Sequence, residues 1–500
     1  MTEKEFLGDT VTDYSDKFHI HKQWKYINEL KKEDLYPVKL ASSNSVDLTS
    51  GELTFEVGAV SSILDFRKAF FRVRFGYSKF DGTTLAAGDI ASRSNSVVEN
   101  NWFYKMFSTA ILYINGATVE TIQHPGEIDS LLKHIYTHDF LNKSEFNKGW
   151  IPDKGDGGIP PTIPNFTPPA ADADVDAPVE VRTYLTTISS ILNELTKRSN
   201  LPTNINKGYL KRKKYFPVAV LNPSSSYTVD FPVYPLFAFF FENRVWTGLN
   251  FSFKLIFKGN YMPSLVYGSD YDVGIKLFDV QLYIPQLEPT YPVRKEVYNA
   301  FKEEDGISVR YLHRRICTRE MKDTEERIEW DLGESRKRIR YLFLWAKPKR
   351  KADPRINDDL YYLNSSTVAP VAENGTITAL EGITAFRLKN VQIQIDNQYY
   401  PPKTSLNRDP DTKNINDLID NYHKVASSPY QYTNEEFQNI HGVICFDLSA
   451  QNENSARDGL KSVIILEKDG AQALNLYALL LEEHKQVIQI DKTVLSDVPL

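Results

Sequence analysis

Residues 111–116 read Ile-Leu-Tyr-Ile-Asn-Gly, and residues 391–397 read Val-Gln-Ile-Gln-Ile-Asp-Asn. Each is a strand-like run that closes on a two-residue turn. Asn-Gly adopts two positive φ angles at little cost, and that backbone joins right-twisted antiparallel strands tightly. Asp396-Asn397 holds the same place in the second run, because Asn also tolerates the left-handed region. Val391, Ile393 and Ile395 point one way, while Gln392, Gln394 and Asp396 point the other. That alternation describes a sheet with one buried and one wet face.

The surroundings of the two hairpins repeat as well. Upstream of each lies a basic, alternating strand: Arg67–Phe75 (RKAFFRVRF) and Arg336–Trp345 (RKRIRYLFLW). Downstream of each lies an amphipathic helix. Gly126–Phe140 sets Ile128, Leu131, Leu132 and Ile135 on one side, and Asn414–Ala426 does the same with Ile415, Leu418, Ile419 and Tyr422. Further on, each half has a strand, a polar loop and a strand, at Phe216–Val233 and Val443–Leu466. Four elements recur in one order, with Asn115 and Asp396 about 280 residues apart. This predicts tandem duplication of one β-fold.

Composition agrees with a strand-rich chain. Its 500 residues are 41% apolar and 25% charged, enough to build a core over two large β units. Tyr 28 and Phe 28 are high counts and Met 4 is low, which favours strands joined by turns. Further strands are expected at Phe70–Phe75, Leu249–Phe257, Val273–Tyr283, Ile339–Trp345, Val463–Leu466 and Val487–Ile490. The charged, weakly patterned residues 1–38 read as an N-terminal arm, and the proline-rich residues 151–180 as a surface loop. The expected domains are therefore 39–258 and 259–492, with a tail at 493–500.

Lys+Arg 59 against Asp+Glu 65 gives a net charge of −6, which supplies no general attraction to nucleic acid or to an anionic membrane. The start, MTEKEFLGDT, lacks the apolar core of a signal peptide, so a soluble chain is expected. Phe231–Phe241 is greasy but short and carries two prolines, so it does not read as a membrane span. Cys317 and Cys445 are the two cysteines and read as free thiols.

No catalytic motif is expected. Gly155–Gly158 sits in the proline-rich loop rather than between a strand and a helix, the context a phosphate cradle needs. His134 and His138 stand four residues apart on the first helix with His124 nearby, but no Cys accompanies them and no Glu lies between them. His19 and His21 in the arm are weaker candidates for a metal or a pH-sensing role. Basic runs at Lys211–Lys214 and Lys347–Lys351, with Arg310, Arg314 and Arg315, read as solvated faces or contacts to acidic neighbours. Glu303/Glu304 and Asp358/Asp359 read as surface acid. The expectation is a non-enzyme with no catalytic, cofactor or metal residues.

Several stretches together carry a family likeness: Asn101–Glu120 (NWFYKMFSTAILYINGATVE), Gly208–Phe216 (GYLKRKKYF), Leu236–Lys258 (LFAFFFENRVWTGLNFSFKLIFK), Val280–Val297, Leu388–Pro402 (LKNVQIQIDNQYYPP), His441–Leu448 (HGVICFDL) and the closing LYALLLEEHKQVIQIDK. In these the chain resembles the major capsid proteins of Polinton/Maverick-type elements and adintoviruses, relatives of adenovirus hexon and of virophage capsid proteins. The turn at Asp396-Asn397, where relatives often carry Asp-Gly, and the 151–180 loop depart from that pattern.

The resemblance implies an all-β double jelly roll, two eight-stranded sandwiches side by side with few short helices. It implies a homotrimer that forms a pseudo-hexagonal capsomer of an icosahedral shell around a DNA genome. Its partners would be neighbouring capsomers and minor capsid and penton proteins, without sequence-specific nucleic-acid binding. Its place would be the virion, after a soluble phase in the host cell. The rival readings are a jelly-roll carbohydrate-binding module, which needs a concave face of clustered aromatics, and a cupin-like metalloenzyme, which needs a His/Glu metal set.

Overall fold

The computed structural model describes residues 30–38, 51–60, 62–79, 82–90, 97–98, 101–136, 149–151, 214–218, 226–234, 236–240, 245–258, 266–267, 273–292, 307–335, 338–348, 388–395, 398–400, 406–407, 416–425, 443–449, 460–468, 473–489 and 492–495, with a few single positions besides. The principal strands fall into two sets of eight. The first set is β1 (Leu30–Val38), β2 (Glu52–Val57), β3 (Phe70–Lys79), β4 (Phe107–Ile114), β5 (Ala117–Gln123), β6 (Tyr227–Pro232), β7 (Phe251–Phe257) and β8 (Val273–Pro289). The second is β9 (Ile307–Met321), β10 (Arg327–Ser335), β11 (Ile339–Pro348), β12 (Leu388–Ile395), β13 (Gln398–Tyr400), β14 (Ile444–Asp447), β15 (Leu460–Lys468) and β16 (Leu474–Gln489). Three helices matter below: α1 (Trp102–Lys105), α2 (Pro125–Tyr136) and α3 (Asn416–Val425).

Pairing shows that the sets are one topology used twice. In the first barrel, β2-β7-β4-β5 form one sheet, and β1-β8-β3-β6 form the other. In the second, β10-β15-β12-β13 face β9-β16-β11-β14. Every named pair is antiparallel, and each strand keeps its place when eight is added to its number. That order is a jelly roll, in which hairpins fold over to make two packed sheets without long free edges.

The Asn115-Gly116 hairpin joins β4 to β5, with φ of 49° and 80° at the two turn residues. Its counterpart joins β12 to β13, where Ile395 pairs with Gln398. Asp396 and Asn397 themselves lie outside the described residues. Arg67–Phe75 feeds β3 and Arg336–Trp345 feeds β11, which are equivalent strands. The helices α2 and α3 follow the equivalent hairpins. The fourth echo is not equivalent: among the described residues Phe216–Val233 contains β6 alone, whereas Val443–Leu466 spans β14 and most of β15. Alternation identifies a strand's faces and carries no information about which partner it takes, so a likeness of pattern there was a likeness of strand type alone.

The sheets also divide at a different place from the expected 258/259. β8 pairs with β3 from Val273 to Tyr283 and with β1 from Leu282 to Pro289, so it closes the first barrel. Leu282 and Tyr283 take both partners at once, which puts β1 and β3 on opposite flanks of β8. The first barrel thus runs to Pro289 and the second starts at Ile307. Leu30–Val38, expected in the arm, is the outer strand of that sheet. The expected tail likewise enters a short strand, Lys492–Leu495, paired on β16. Edge strands earn their order from backbone pairing more than from apolar pattern, so a polar run such as LKKED conceals them.

The core lies between the sheets of each barrel. On β7, Phe251, Phe253, Leu255 and Phe257 are buried while Ser252, Lys254 and Ile256 are half-buried. Opposite them stand Phe71, Val73 and Phe75 of β3. In the second barrel Val391, Ile393 and Ile395 are all buried, as their alternation requires. Helix α2 buries Ile128, Leu131, Leu132 and Ile135, and α3 buries Leu418 and Tyr422.

One close approach fixes how α2 sits on α1. A Cβ on Gly126 would lie 2.5 Å from both the Cα and the backbone N of Lys105, so the two helices touch backbone to backbone there. Gly126→Ala is expected to force them apart and to destabilise the first barrel by about 1–3 kcal/mol, the usual cost of overpacking. Urea unfolding of the variant against wild type measures it, and an unchanged midpoint would refute the contact.

The barrel junction as candidate functional site

Few of the candidate residues weighed from the sequence fall among the described ones. His124 sits after β5 with φ 50°, and its ring meets Tyr477 of the second barrel edge-on at 6.3 Å. His138, His19, His21, Gly155–Gly158, Glu303, Glu304, Asp358 and Asp359 lie outside the described residues, as does the His134 side chain. Among the described residues, no three His, Cys, Asp or Glu side chains form a group that could hold a metal ion. No described helix is long and apolar enough to cross a membrane. Cys317 is half-buried and Cys445 buried, both as free thiols, and burial pushes both thiol pKa values up.

The basic runs are not uniform solvated faces. Arg212 is buried, and its Nη1 donates to the Ile151 carbonyl at 3.0 Å, while Lys214 is exposed. Lys347 is the last residue but one of β11, and its side chain lies outside the described residues. Arg315 Nε donates to Glu482 Oε1 at 2.7 Å across β9 and β16, and its Nη1 donates to the Leu332 carbonyl at 2.8 Å.

Arg314 belongs to something larger, the seam between the barrels. There β5 and the turn at Ala238–Phe240 from the first barrel meet β9 and β16 from the second. Tyr311 Oη and Gln486 Nε2 both donate to the Val119 carbonyl, at 3.1 and 3.0 Å. The Phe239 ring stacks on Trp246 at 5.1 Å and meets Tyr311 edge-on at 5.9 Å. Arg314, only 5% exposed, donates through Nη1 to the Leu236 carbonyl. Beside it, Glu120 accepts from the backbone N–H groups of Ala238 and Phe239, each at 3.2 Å.

Glu120 is 1% exposed, and burial, opposed by Arg314 and the two N–H groups, raises its pKa from 4.5 to about 7. A charged residue enters the seam because β5 breaks its alternation: Val119 and Glu120 are both buried, opposite a register shift at Leu112/Tyr113 of β4. In the sequence ATVETIQ no signal marks that shift. His313 and His484 pack ring to ring at 4.5 Å nearby, and burial, with His484 adding to it, lowers the His313 pKa to about 4.

Two runs in the second barrel lack alternation altogether. Tyr341–Ala346 and Leu476–Glu482 are buried at every position, so both faces of those strands are covered. Continuous burial replaces alternation where a sheet is packed on two sides. Among the described residues the arrangement joins the two barrels through hydrogen bonds, ring contacts and a buried carboxylate beside a buried guanidinium.

No protein-family model matches the chain, and no curated protein matches it. Solved structures do. A chain from the cryo-EM structure of the Sputnik virophage superposes with a TM-score of 0.57 at 10% identity, over 95% of this chain and 91% of that one. The mavirus major capsid protein matches with a TM-score of 0.48 at 10% identity, over 93% and 90%. The Faustovirus major capsid protein matches with a TM-score of 0.47 at 10% identity, over 92% and 90%. The likeness read from the sequence is therefore borne out at the level of fold: the protein is a double jelly roll, of the architecture found in the virophage chain.

Proposed function

We propose that the chain is a major capsid protein, a homotrimer whose capsomers tile an icosahedral shell around DNA. The observation that carries this reading is the repetition of one eight-strand barrel within a single chain, in a fold shared with a virophage chain over nearly its whole length. Three such chains would present six similar towers, so a threefold molecule would fill a hexagonal cell. Exposed aromatics at Tyr215, Tyr291 and Tyr399 suit surfaces that an assembly would cover. Minor capsid and penton proteins would be further partners, and the virion its destination. Light scattering on purified protein is expected to give three times 57.3 kDa, with hexagonal outlines in electron micrographs. A stable monomer at micromolar concentration would overturn the proposal.

The N-terminal arm is tested by two truncations. Deleting residues 1–29 is expected to leave soluble trimers and impair shell formation, through loss of contacts between tiles. Deleting residues 1–38 also removes β1 and bares the flank of β8 from Leu282 to Pro289, so aggregated protein is expected. Normal shells from the shorter deletion would show residues 1–29 to be dispensable.

A further inference from the structure

Asn101, Asp129 and Lys133 meet in a pocket between α1 and α2, each 2% exposed or less. Asn101 precedes α1 with a left-handed backbone at φ 59°, and Asp129 and Lys133 are one turn apart on α2. Asp129 Oδ2 accepts from Lys133 Nζ at 2.6 Å and from Asn101 Nδ2 at 2.6 Å. Lys133 Nζ also donates to Asn101 Oδ1 at 3.3 Å. Asn101 Nδ2 lies 3.3 Å from Ser130 Oγ and 3.4 Å from the Gly126 carbonyl. The Tyr104 ring flanks the ammonium at 5.5 Å, and Trp102 and Phe103, which follow Asn101 in the chain, are fully buried. Asp129 Oδ1 is buried and accepts no hydrogen bond among the described residues.

An amine, a carboxamide and a carboxylate thus share one buried pocket, each within hydrogen-bond reach of the other two. An ordinary buried ion pair needs only two of them. Lys133 Nζ already rests against the oxygen of the carboxamide whose carbon it would attack, and proximity of this kind replaces a collision by a first-order step. A lysine amine is a competent nucleophile once an adjacent base has taken its proton. We propose that Lys133 and Asn101 become joined by an intramolecular isopeptide bond, with Asp129 as the proton carrier.

The step balances without any added reagent. Asp129 takes a proton from the Lys133 ammonium, and the freed Nζ lone pair attacks Asn101 Cγ while the carbonyl pair moves to Oδ1. Asp129 then gives its proton to Nδ2, the Cγ–Nδ2 bond breaks, and ammonia leaves as the carbonyl re-forms. The surplus proton on Nζ returns to Asp129 and leaves with the ammonia as ammonium. The product is a neutral amide, so one buried cation disappears. The link would clamp the two ends of the segment that carries the β4–β5 hairpin, and β5 is the first barrel's strand in the seam.

Intact-mass spectrometry of the denatured full-length protein tests it. Wild type is expected one ammonia lighter than its sequence. Trypsin is expected to release a branched peptide joining residues 94–105 to 106–143, because the blocked Lys133 resists cleavage. Asp129→Asn and Lys133→Arg are expected to restore the full mass. Folded wild type at full mass, with a free 106–133 peptide, would overturn the proposal even if neither variant were soluble. Ammonia loss confined to the 94–105 peptide would overturn it too, since a succinimide at Asn101 loses the same mass without a branch. A branch that persists in Asp129→Asn would overturn the role given to Asp129.

Discussion

Arg314→Met is expected to destabilise the protein by about 3–5 kcal/mol near pH 8, the usual cost of stripping one partner from a buried charge pair. Arg314 is the cation that offsets the burial of Glu120, and the methionine leaves that carboxylate with two backbone N–H groups alone. The loss should shrink toward pH 5, where the carboxyl group is protonated and needs no counter-charge. Urea midpoints at the two pH values measure both effects, and equal losses at both would show that Glu120 is not the partner.

Glu120 itself gives wild type a pH slope whose sign is fixed. Its folded pKa, about 7, lies above the ordinary 4.5, so between those values the folded chain holds more of this proton than the unfolded chain does. Stability from this group is fully present below about pH 4.5 and is lost as pH rises through 7, by about 3 kcal/mol over the whole shift. Glu120→Gln cannot titrate, and its stability should lack that slope between pH 5 and 8. A slope equal to that of wild type would place the titration elsewhere.

Phe66→Ala is expected to cost about 3–5 kcal/mol, as large aromatic truncations in closed cores do. Phe66 is fully buried in the short turn that leads into β3. Its ring stacks on Phe240 at 4.7 Å and lies 4.4 Å from Phe251 and 5.8 Å from Phe253 of β7. It therefore ties one sheet of the first barrel to the other, and also to the turn whose N–H groups hold Glu120. Phe66→Leu, which keeps much of the volume, should cost under about 1.5 kcal/mol. Chemical unfolding of both variants gives the comparison, and an alanine variant within about 1 kcal/mol of wild type would show that the site collapses without penalty.

What the residues alone determined is local and repetitive. The alternation at Val391–Ile395, the Asn115-Gly116 turn and the two amphipathic helices each state a face or a turn, and their recurrence stated the duplication. Side-chain period and turn chemistry are properties of a few adjacent residues, so they survive without a partner. Strand membership is different, because it depends on backbone pairing over long separations. Val273–Pro289 belongs to the first barrel, and Leu30–Val38 is a strand rather than arm, since β8 offers both flanks to that barrel. The seam is also a product of tertiary structure. Nothing in the sequence marks Glu120, and Arg314 reads as a solvated face or a contact to an acidic neighbour; only the apposition of β5 with β9 removes water from both, which is what turns a carboxylate into a group that titrates near neutrality.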